Sequence, residues 1–432
     1  MMEGKTAETG LFYSQPPPHS GQCCVVLGAG NVGMLSVADT LYWMFVQGCV
    51  VVLKHSPVKA YNHKWISLLF QPLIELGFFG SVLGGVDVSQ ALVYAPSCDR
   101  VHLTGGVATH DAIVWGVGPE AQQRKASGQP LLKVPMTSEL GACTPWLIVP
   151  GNWSKEEMHH HSAHLACSTW YNQSCACNGP KVILLDEKWP QAQEFIDAVV
   201  NELSTVLPPR ISYYPGAEAR YNAFKAAYPD AQVVPPKRCA APPGFLPWLV
   251  ADLDEEKAAK QPHALQVEAF APVLTFVRLK GNMLDDGVTF ANDRIMGTLS
   301  CSVFMSTPDM HSRAEELEAA LARLRYGLVG LNCWTAEAYS FNTCTWGGYP
   351  GETLDRVSSG IGIVRNYLMF KHPCKTVVRA PFVSDYHFGT SSTPLDISQA
   401  QTIVSLSTQL FFLTNAVPRA VKSAWNALKS LF

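Results

Sequence analysis

Cys23-Cys24-Val25-Val26-Leu27-Gly28-Ala29-Gly30-Asn31-Val32-Gly33 is the stretch that decides how this chain folds. Cys23 to Leu27 carries no charge and reads as a strand buried on both faces, and a glycine-rich turn then leads into a helical segment, Met34 to Gln47. A second apolar run, Val50-Val51-Val52-Leu53, follows that helix. Buried strand, helix and buried strand in succession describe a parallel βαβ unit, because parallel strands need a crossover of a dozen or so residues. Gly28, Gly30 and Gly33 also spell a literal G-x-G-x-x-G, which by itself suggests a dinucleotide held at a helix N-terminus. The acidic residue that grips a ribose in that fingerprint is absent, since the second strand ends in Lys54-His55-Ser56-Pro57.

Working outward, the pattern repeats. A helix is predicted over about Ala60 to Leu76, a short strand at Ser81-Val82-Leu83, a helix from about Val88 to Tyr94 and a strand at Arg100 to Leu103, after which Thr104-Gly105-Gly106 opens another helix. Three strand–helix alternations predict a parallel sheet covered by helices, so the fold class is α/β with a Rossmann-like half. A second α/β unit follows, with strands at Trp146 to Val149, Val182 to Leu185, Leu274 to Val277, Ser300 to Met305 and Gly327 to Asn332, a helix over Gln191 to Leu207, a Pro-rich loop from Val234 to Pro247 and a charged helix over His311 to Arg325. The helix after Ser154-Lys155-Glu156-Glu157 starts with a capping-box pattern. It carries His160 and His164 at i, i+4, a spacing that suits a metal clamp, but no third ligand is well spaced beyond Cys167. A polar helix face is the better reading, and no metal site is expected.

Thirteen cysteines, an odd number at irregular spacing, do not make a disulfide framework and point to a reducing compartment. The location expected is therefore cytoplasmic or an intracellular membrane surface. A net charge of -3 over 432 residues offers no basic footprint, so nucleic acid is not expected as a partner. Residues 1–21 read as a flexible lead-in without a secretory signal. Near the other end, Ile397 to Pro418 contains no charge, and Arg419, Lys422 and Lys429 then alternate with Val421, Trp425, Leu428 and Leu431. That tail reads as an amphipathic segment, packed within the protein or onto a subunit, lying on a membrane surface, or spanning a membrane.

Trp170-Tyr171-Asn172-Gln173-Ser174-Cys175-Ala176-Cys177-Asn178-Gly179 places two cysteines in a turn ahead of a buried strand, where a thiolate nucleophile is readily made and where inert buried cysteines are also common. Together with other motifs, this stretch resembles the aldehyde dehydrogenase superfamily. Asn172-Gln173 followed by Cys177 is similar to the family's cysteine motif, Glu139-Leu140-Gly141-Ala142 upstream to its glutamate motif, and Glu268-Ala269-Phe270-Ala271-Pro272-Val273 to its E-x-F-G-P-V motif. Val51-Val52-Leu53-Lys54-His55-Ser56 resembles its V-V-x-K-P-S strand end, and Leu103-Thr104-Gly105-Gly106 its F-T-G-S turn. Ala291-Asn292, Asn332 and Trp346-Gly347-Gly348-Tyr349 fit its C-terminal half, so the motifs run in order from about residue 23 to about residue 380.

The resemblance implies a mechanism. Cys177 would attack an aldehyde, Asn31 would fall on the asparagine of the family's Pro-Trp-Asn and face the substrate oxygen, and Glu139 would activate water against a thioester. NAD or NADP would be held by Lys54, Ser56, Thr104, Gly105, Gly106, Glu268 and Phe270, so the literal glycine fingerprint becomes a coincidence. The implied domains are an incomplete NAD(P)-binding domain over 22–140, a catalytic domain over 141–350, a return to the cofactor domain with an oligomerisation strand over 351–390, and the tail over 391–432. A homo-oligomer is expected if the N-terminal region is complete, with Lys375 to Arg379 as the subunit-contact strand. Family members carry a substantial region ahead of the Asn31 position, where only thirty residues stand here, so the N-terminal part of the cofactor domain is expected to be missing and apolar sheet surface to be left uncovered.

Four departures from the family pattern stand out. Ser174 and Cys175 replace Gly and Gln, which would stiffen or re-aim the loop and place a second thiol beside the first. Pro57 stands where a ribose-binding glutamate is frequent, which removes a repulsion against a 2′-phosphate, and Gly106 replaces a serine. The expected reaction is oxidation of an aldehyde to a carboxylic acid. The alternatives are a CoA-linked acylating enzyme or acyl-CoA reductase, which has less need of Glu139 as a hydrolytic base, and a non-catalytic truncated relative with a structural role.

Overall fold

A computed structural model of the chain describes residues 9, 10, 21–339, 341 and 343–384. The tail from 391 onward, with the membrane readings attached to it, lies outside the described residues, among which no helix is long and apolar enough to cross a membrane.

The apolar runs form parallel sheet. The first sheet takes β1 (Gln22–Leu27), β2 (Cys49–Lys54), β3 (Phe79–Val82), β4 (Arg100–Thr104) and β5 (Met136–Glu139) in the order β3-β2-β1-β4-β5, all parallel. Side chains alternate across β1: Cys24 and Val26 join one buried cluster, Val25 and Leu27 another. Burial on both faces is what an uncharged strand predicts.

Helices α1 (Gly33–Phe45), α2 (Asn62–Leu69), α3 (Gln71–Glu75), α4 (Val86–Val93) and α5 (Val107–Val114) belong to this sheet. The single helix expected over about 60–76 is two, because Phe70 leaves helical geometry (φ -100°, ψ 13°) and Pro72 then opens α3. The outward side of this pair leaves Tyr61, Trp65, Leu68, Leu69 and Leu76 between 61 and 68% exposed, an apolar band.

The second sheet has eight strands: β6 (Pro145–Ile148), β7 (Val182–Asp186), β8 (Gln232–Val234), β9 (Trp248–Asp254), β10 (Val273–Leu279), β11 (Ser300–Phe304), β12 (Leu328–Leu331) and an eighth that comes last in the chain. Between that strand and β12 lies a separate antiparallel pair, β13 (Trp346–Gly347) with β14 (Ile363–Val364), so the last strand is β15 (Thr376–Arg379). The order is β15-β12-β11-β6-β7-β10-β9-β8, parallel except for β8 against β9. Strands β5 and β9 were not expected from the sequence, the first because it is short and polar, the second because it follows the Pro-rich loop directly.

The strand expected to serve subunit contacts pairs with the chain's own β12, Leu328 opposite Thr376 through Leu331 opposite Arg379. One edge of the strand is thus paired within the chain, and its other edge, at the end of the sheet order, pairs with no strand among the described residues. The capping box is present: the Glu157 amide donates to Ser154 Oγ (3.2 Å) and the Ser154 amide to Glu157 Oε2 (2.8 Å), opening the long helix Lys155–Trp170. The charged helix expected over 311–325 breaks at Arg313 into Thr307–Ser312 and Ala314–Arg323.

The segment after Gly351 returns to the first sheet. The Ser138 amide donates to the Ile361 carbonyl (2.9 Å) and the Leu140 amide to the Ser359 carbonyl (2.8 Å). Gly360 between them has φ 112°, and a Cβ there would lie 2.0 Å from the Ser138 carbonyl oxygen, so only glycine fits this approach.

Candidate active site

Register brings the candidate residues to one level. Leu27 pairs with Lys54 and with Leu103, and Thr104 with Glu139, so the C-terminal ends of β1, β2, β4 and β5 form one edge. The chain leaves β1 toward β2 on one side while β4 and β5 lie on the other. A crevice therefore opens between the ends of β1 and β4, the switch point where open α/β sheets bind ligands.

Two cavities occupy this edge. The larger, about 510 Å³, is lined by Lys54 and Ser56 from the end of β2, by Gly105 and Gly106 after β4, and by residues of α4 and α5. The smaller, about 220 Å³, is lined by Asn31, Glu139, Cys177, Arg220, Glu268 and Phe270 among others. Gly30, Thr104, Gly105, Gly106 and Tyr214 line both. All ten candidate residues thus border one or both cavities. The cavity lining includes Ala108 and Thr109 of α5 and no residue of α1, so the helix end facing the crevice is that of α5 and not the one behind the glycine fingerprint.

Cys177 is partly buried on the turn between the long helix and β7. Its thiol is flanked by Glu139, the last residue of β5, and by Glu268. Burial pushes the thiol well up, and the neighbouring Glu139 and Glu268 carboxylates push it in the same direction, opposed by Lys181. Glu139 itself is 4% exposed, and burial first, then the charge of Asp39, raises it to about 8. Asp39 comes from α1 and accepts the Thr104 hydroxyl at 3.0 Å, so that hydroxyl is turned away from the crevice.

Asn31 sits beside the same turn. Its Nδ2 donates to the Cys175 carbonyl at 3.2 Å, which leaves the second amide hydrogen of the group for another acceptor. The Tyr213 hydroxyl donates to the Asn31 carbonyl at 3.1 Å. Glu268 is raised to about 7, chiefly by burial, with Lys181 pulling the other way. Its Oε1 is buried and has no hydrogen-bond partner among the described residues, which marks it as an acceptor awaiting a donor. Phe270, at φ 45°, is pinned by Arg220, whose Nε and Nη2 donate to the Ala269 and Phe270 carbonyls at 2.8 and 3.2 Å.

The turn itself is strained. Asn172, Gln173 and Ser174 are consecutive non-glycine residues at φ 52°, 55° and 59°. Left-handed geometry costs an L-residue other than glycine on the order of 1 kcal/mol, less for asparagine. Cys175 is buried with its thiol against the Gln173 and Phe270 carbonyls, and burial raises it to about 11, so it is the inert member of the thiol pair. His164 is buried 3.6 Å from Glu337 and packs on Trp146 and Phe304. No cluster of three or more His, Cys, Asp or Glu side chains is placed to hold a metal ion among the described residues.

Sequence reasoning missed four residues of this site: Asp39, Lys181, Tyr214 and Arg220. Lys181 carried a signal, a lone cation at the head of the apolar run Val182 to Leu185. Tyr214 packs edge-on against Phe270 at 4.8 Å, and its partner Tyr213 lies beside it in a loop that no motif marks.

A model of the aldehyde dehydrogenase family matches residues 5–209. Among solved structures, the chain is similar to a Mycobacterium tuberculosis aldehyde dehydrogenase complexed with NAD+ (22% identity, TM-score 0.59, covering 81% of this chain and 66% of that one). It is also similar to an NADP-dependent glyceraldehyde-3-phosphate dehydrogenase from Bacillus halodurans C-125 complexed with NADP (17% identity, TM-score 0.57, 81% and 67%). A third is gamma-glutamyl-gamma-aminobutyraldehyde dehydrogenase from Burkholderia cenocepacia J2315 (19% identity, TM-score 0.62, 85% and 70%). The chain thus spans about two thirds of the length of these proteins, and the likeness is one of fold. No curated protein sequence matches it.

Proposed function

We propose that this chain, which belongs to the aldehyde dehydrogenase superfamily, oxidises an aldehyde to a carboxylic acid with NAD or NADP as acceptor. The observation that carries the proposal is the convergence of Cys177, Glu139, Asn31 and Glu268 on the lining of one cavity. A thiol, a carboxylate and an amide donor on one cavity are the parts that covalent aldehyde oxidation needs.

The crevice suits a nicotinamide dinucleotide. Lys54 is buried with its ammonium lowered by that burial and opposed by Asp87, and with Ser56 it lines the larger cavity where an adenosine ribose would be held. A Cβ at Gly106 would meet nothing within 4 Å, so the start of α5 is open to a pyrophosphate. The unpartnered Glu268 Oε1 suits a ribose hydroxyl. Pro57 supplies no carboxylate against a 2′-phosphate, so both cofactors remain in the proposal. The dinucleotide, when bound, supplies the acceptor for the electron pair that leaves the substrate carbon.

The chain's own residues do the rest. Glu139 takes the Cys177 proton, and the sulfur bonds to the aldehyde carbon. The oxygen that gains charge is met by the free Asn31 amide hydrogen and the Cys177 backbone N–H. Loss of the carbon-bound hydrogen together with its electron pair, as a hydride, leaves a thioester on Cys177. Glu139, having released its first proton to solvent, then removes one from water as the water attacks, and the acid leaves as the thiolate returns. The same base is the reason to favour hydrolysis over transfer to CoA.

Purified protein should reduce NAD or NADP when given members of an aldehyde panel, with the acid as product and no acceleration by CoA. Absence of reduction by a folded Cys177-intact protein across aliphatic and aromatic aldehydes would overturn the proposal. Glu268→Gln should weaken NAD(P)H binding by about tenfold, the scale of one hydrogen bond to a charged group. Quenching of intrinsic tryptophan fluorescence by the reduced dinucleotide measures this without turnover.

A further inference from the structure

The nucleophile loop is tied to one buried cation. Lys181 is 4% exposed, and its Nζ donates to the Ser174 carbonyl at 2.6 Å, to Ser174 Oγ at 2.9 Å and to the Ala176 carbonyl at 3.2 Å. Three acceptors match the three hydrogens of an ammonium, whereas a neutral amine has two to give. All three acceptors are neutral, and no carboxylate lies within ion-pair distance of Nζ among the described residues. Burial disfavours the ammonium and the Glu268 carboxylate favours it, and the field of the charge reaches the groups beside it with little screening.

Those groups come from every element packed around the loop. Glu139 faces Cys177 from β5 and Glu268 from the segment ahead of β10, while Cys175, on the same turn, faces Lys181. Cys143, between the two sheets, also feels Lys181, and Arg220 faces Cys175 and Glu268 from the helix Ala217–Ala227. Two of these are carboxylates that disfavour a second negative charge. Lys181 is the cation set against them at Cys177.

Its contacts also explain a departure from the family pattern. Ser174 stands where the family has glycine and adopts φ 59° with a side chain. Its hydroxyl and carbonyl both accept from Nζ, so the lysine holds the left-handed turn that aims the next residues. Lys181 is anchored in turn at the sheet: its amide donates to the Thr144 carbonyl at 3.0 Å, and Thr144 Oγ1 donates to the Cys177 carbonyl at 2.8 Å.

We propose that Lys181 is a positioning residue of the proposed reaction, which fixes the strained turn over 172–176 and supplies the countercharge that allows Cys177 to ionise between two carboxylates. The inference rests on Cys177 being the nucleophile, and its test separates the two statements. The measurement is the rate of Cys177 alkylation by iodoacetamide against pH, read by mass spectrometry of the Cys177 peptide, with no aldehyde or dinucleotide present.

In Lys181→Met the alkylation midpoint should move up by one pH unit or more, which lowers the rate at neutral pH by about tenfold. Lys181→Arg, which keeps the charge, should restore most of it, and Ser174→Gly should leave the midpoint near that of the native protein. If Lys181→Met does not fold, Lys181→Gln carries the same expectation, with two donors and no charge. A native-like midpoint in the folded uncharged variants would overturn the inference while leaving the nucleophile in place. An equal shift in Lys181→Arg would also overturn it, because packing alone would then be at work. A native protein whose Cys177 shows no titrating alkylation would instead overturn the assignment of the nucleophile.

Discussion

Replacing Cys177 by serine should lower aldehyde-dependent NAD(P) reduction by about four orders of magnitude or more, the scale reached when a covalent nucleophile is removed. The hydroxyl is smaller than the thiol and fits the same place, so the 172–178 turn should keep its shape and the effect should lie in the rate of turnover. Binding of NAD(P)H, followed by fluorescence, should stay within about twofold of the native value, because the residues proposed to grip the dinucleotide are Lys54, Ser56 and Glu268. Cys175→Ser is the companion experiment. Its thiol is raised to about 11 by burial and is already engaged by two carbonyls, so turnover should survive its loss. Activity that persists in Cys177→Ser and disappears in Cys175→Ser would reverse the assignment.

Glu139→Gln should separate the two halves of the reaction. With no base to activate water, thioester hydrolysis should slow by about 10² to 10⁴-fold. The electron-transfer half should fall less, so rapid mixing should show a burst approaching one equivalent of NAD(P)H per active site followed by a stall. The acyl group should remain on the Cys177 peptide in intact-mass measurements. A loss of the burst itself would mean that Glu139 acts mainly in activating the thiol.

The pH dependence follows from the same carboxyl. The ionised form is the base, and burial with the Asp39 charge raises Glu139 to about 8. Steady-state turnover should therefore climb as pH rises through about 8, and the climb should flatten in Glu139→Gln. Stability should run the other way. A folded-state value above the unfolded one means that the folded chain binds the proton more tightly, so the protonated carboxyl's contribution is complete below about 4.3 and is lost as pH rises toward about 8. Glu268, raised to about 7, adds to this trend in the same sense. Denaturation midpoints should fall between pH 5 and 9, with a shallower slope in Glu139→Gln.

Much of this was legible along the chain. Uncharged runs such as Val25 to Leu27 and Val182 to Leu185 can only be satisfied in the middle of a sheet covered on both faces, and their spacing with helices between them requires parallel pairing. The candidate residues were legible because their chemistry is local: a thiol in a turn, a carboxylate at a strand end, glycines at a helix start. Short polar strands were not. Met136–Glu139 has no periodicity of its own and is a strand because β4 on one side and the 359–361 segment on the other take its backbone groups.

What the sequence by itself determined about this protein was the two-unit parallel architecture and the set of side chains able to do the chemistry, since buried strands and turn glycines leave a signature within a few residues. Only the tertiary structure decided which of those groups share a cavity. It brought Glu139 to Cys177 and set Asp39 and Lys181 at the same centre from distant parts of the chain. It also placed Thr376–Arg379 against the chain's own β12. The reason is that burial, screening and strand pairing depend on what the rest of the chain places nearby, and no window of sequence contains that information.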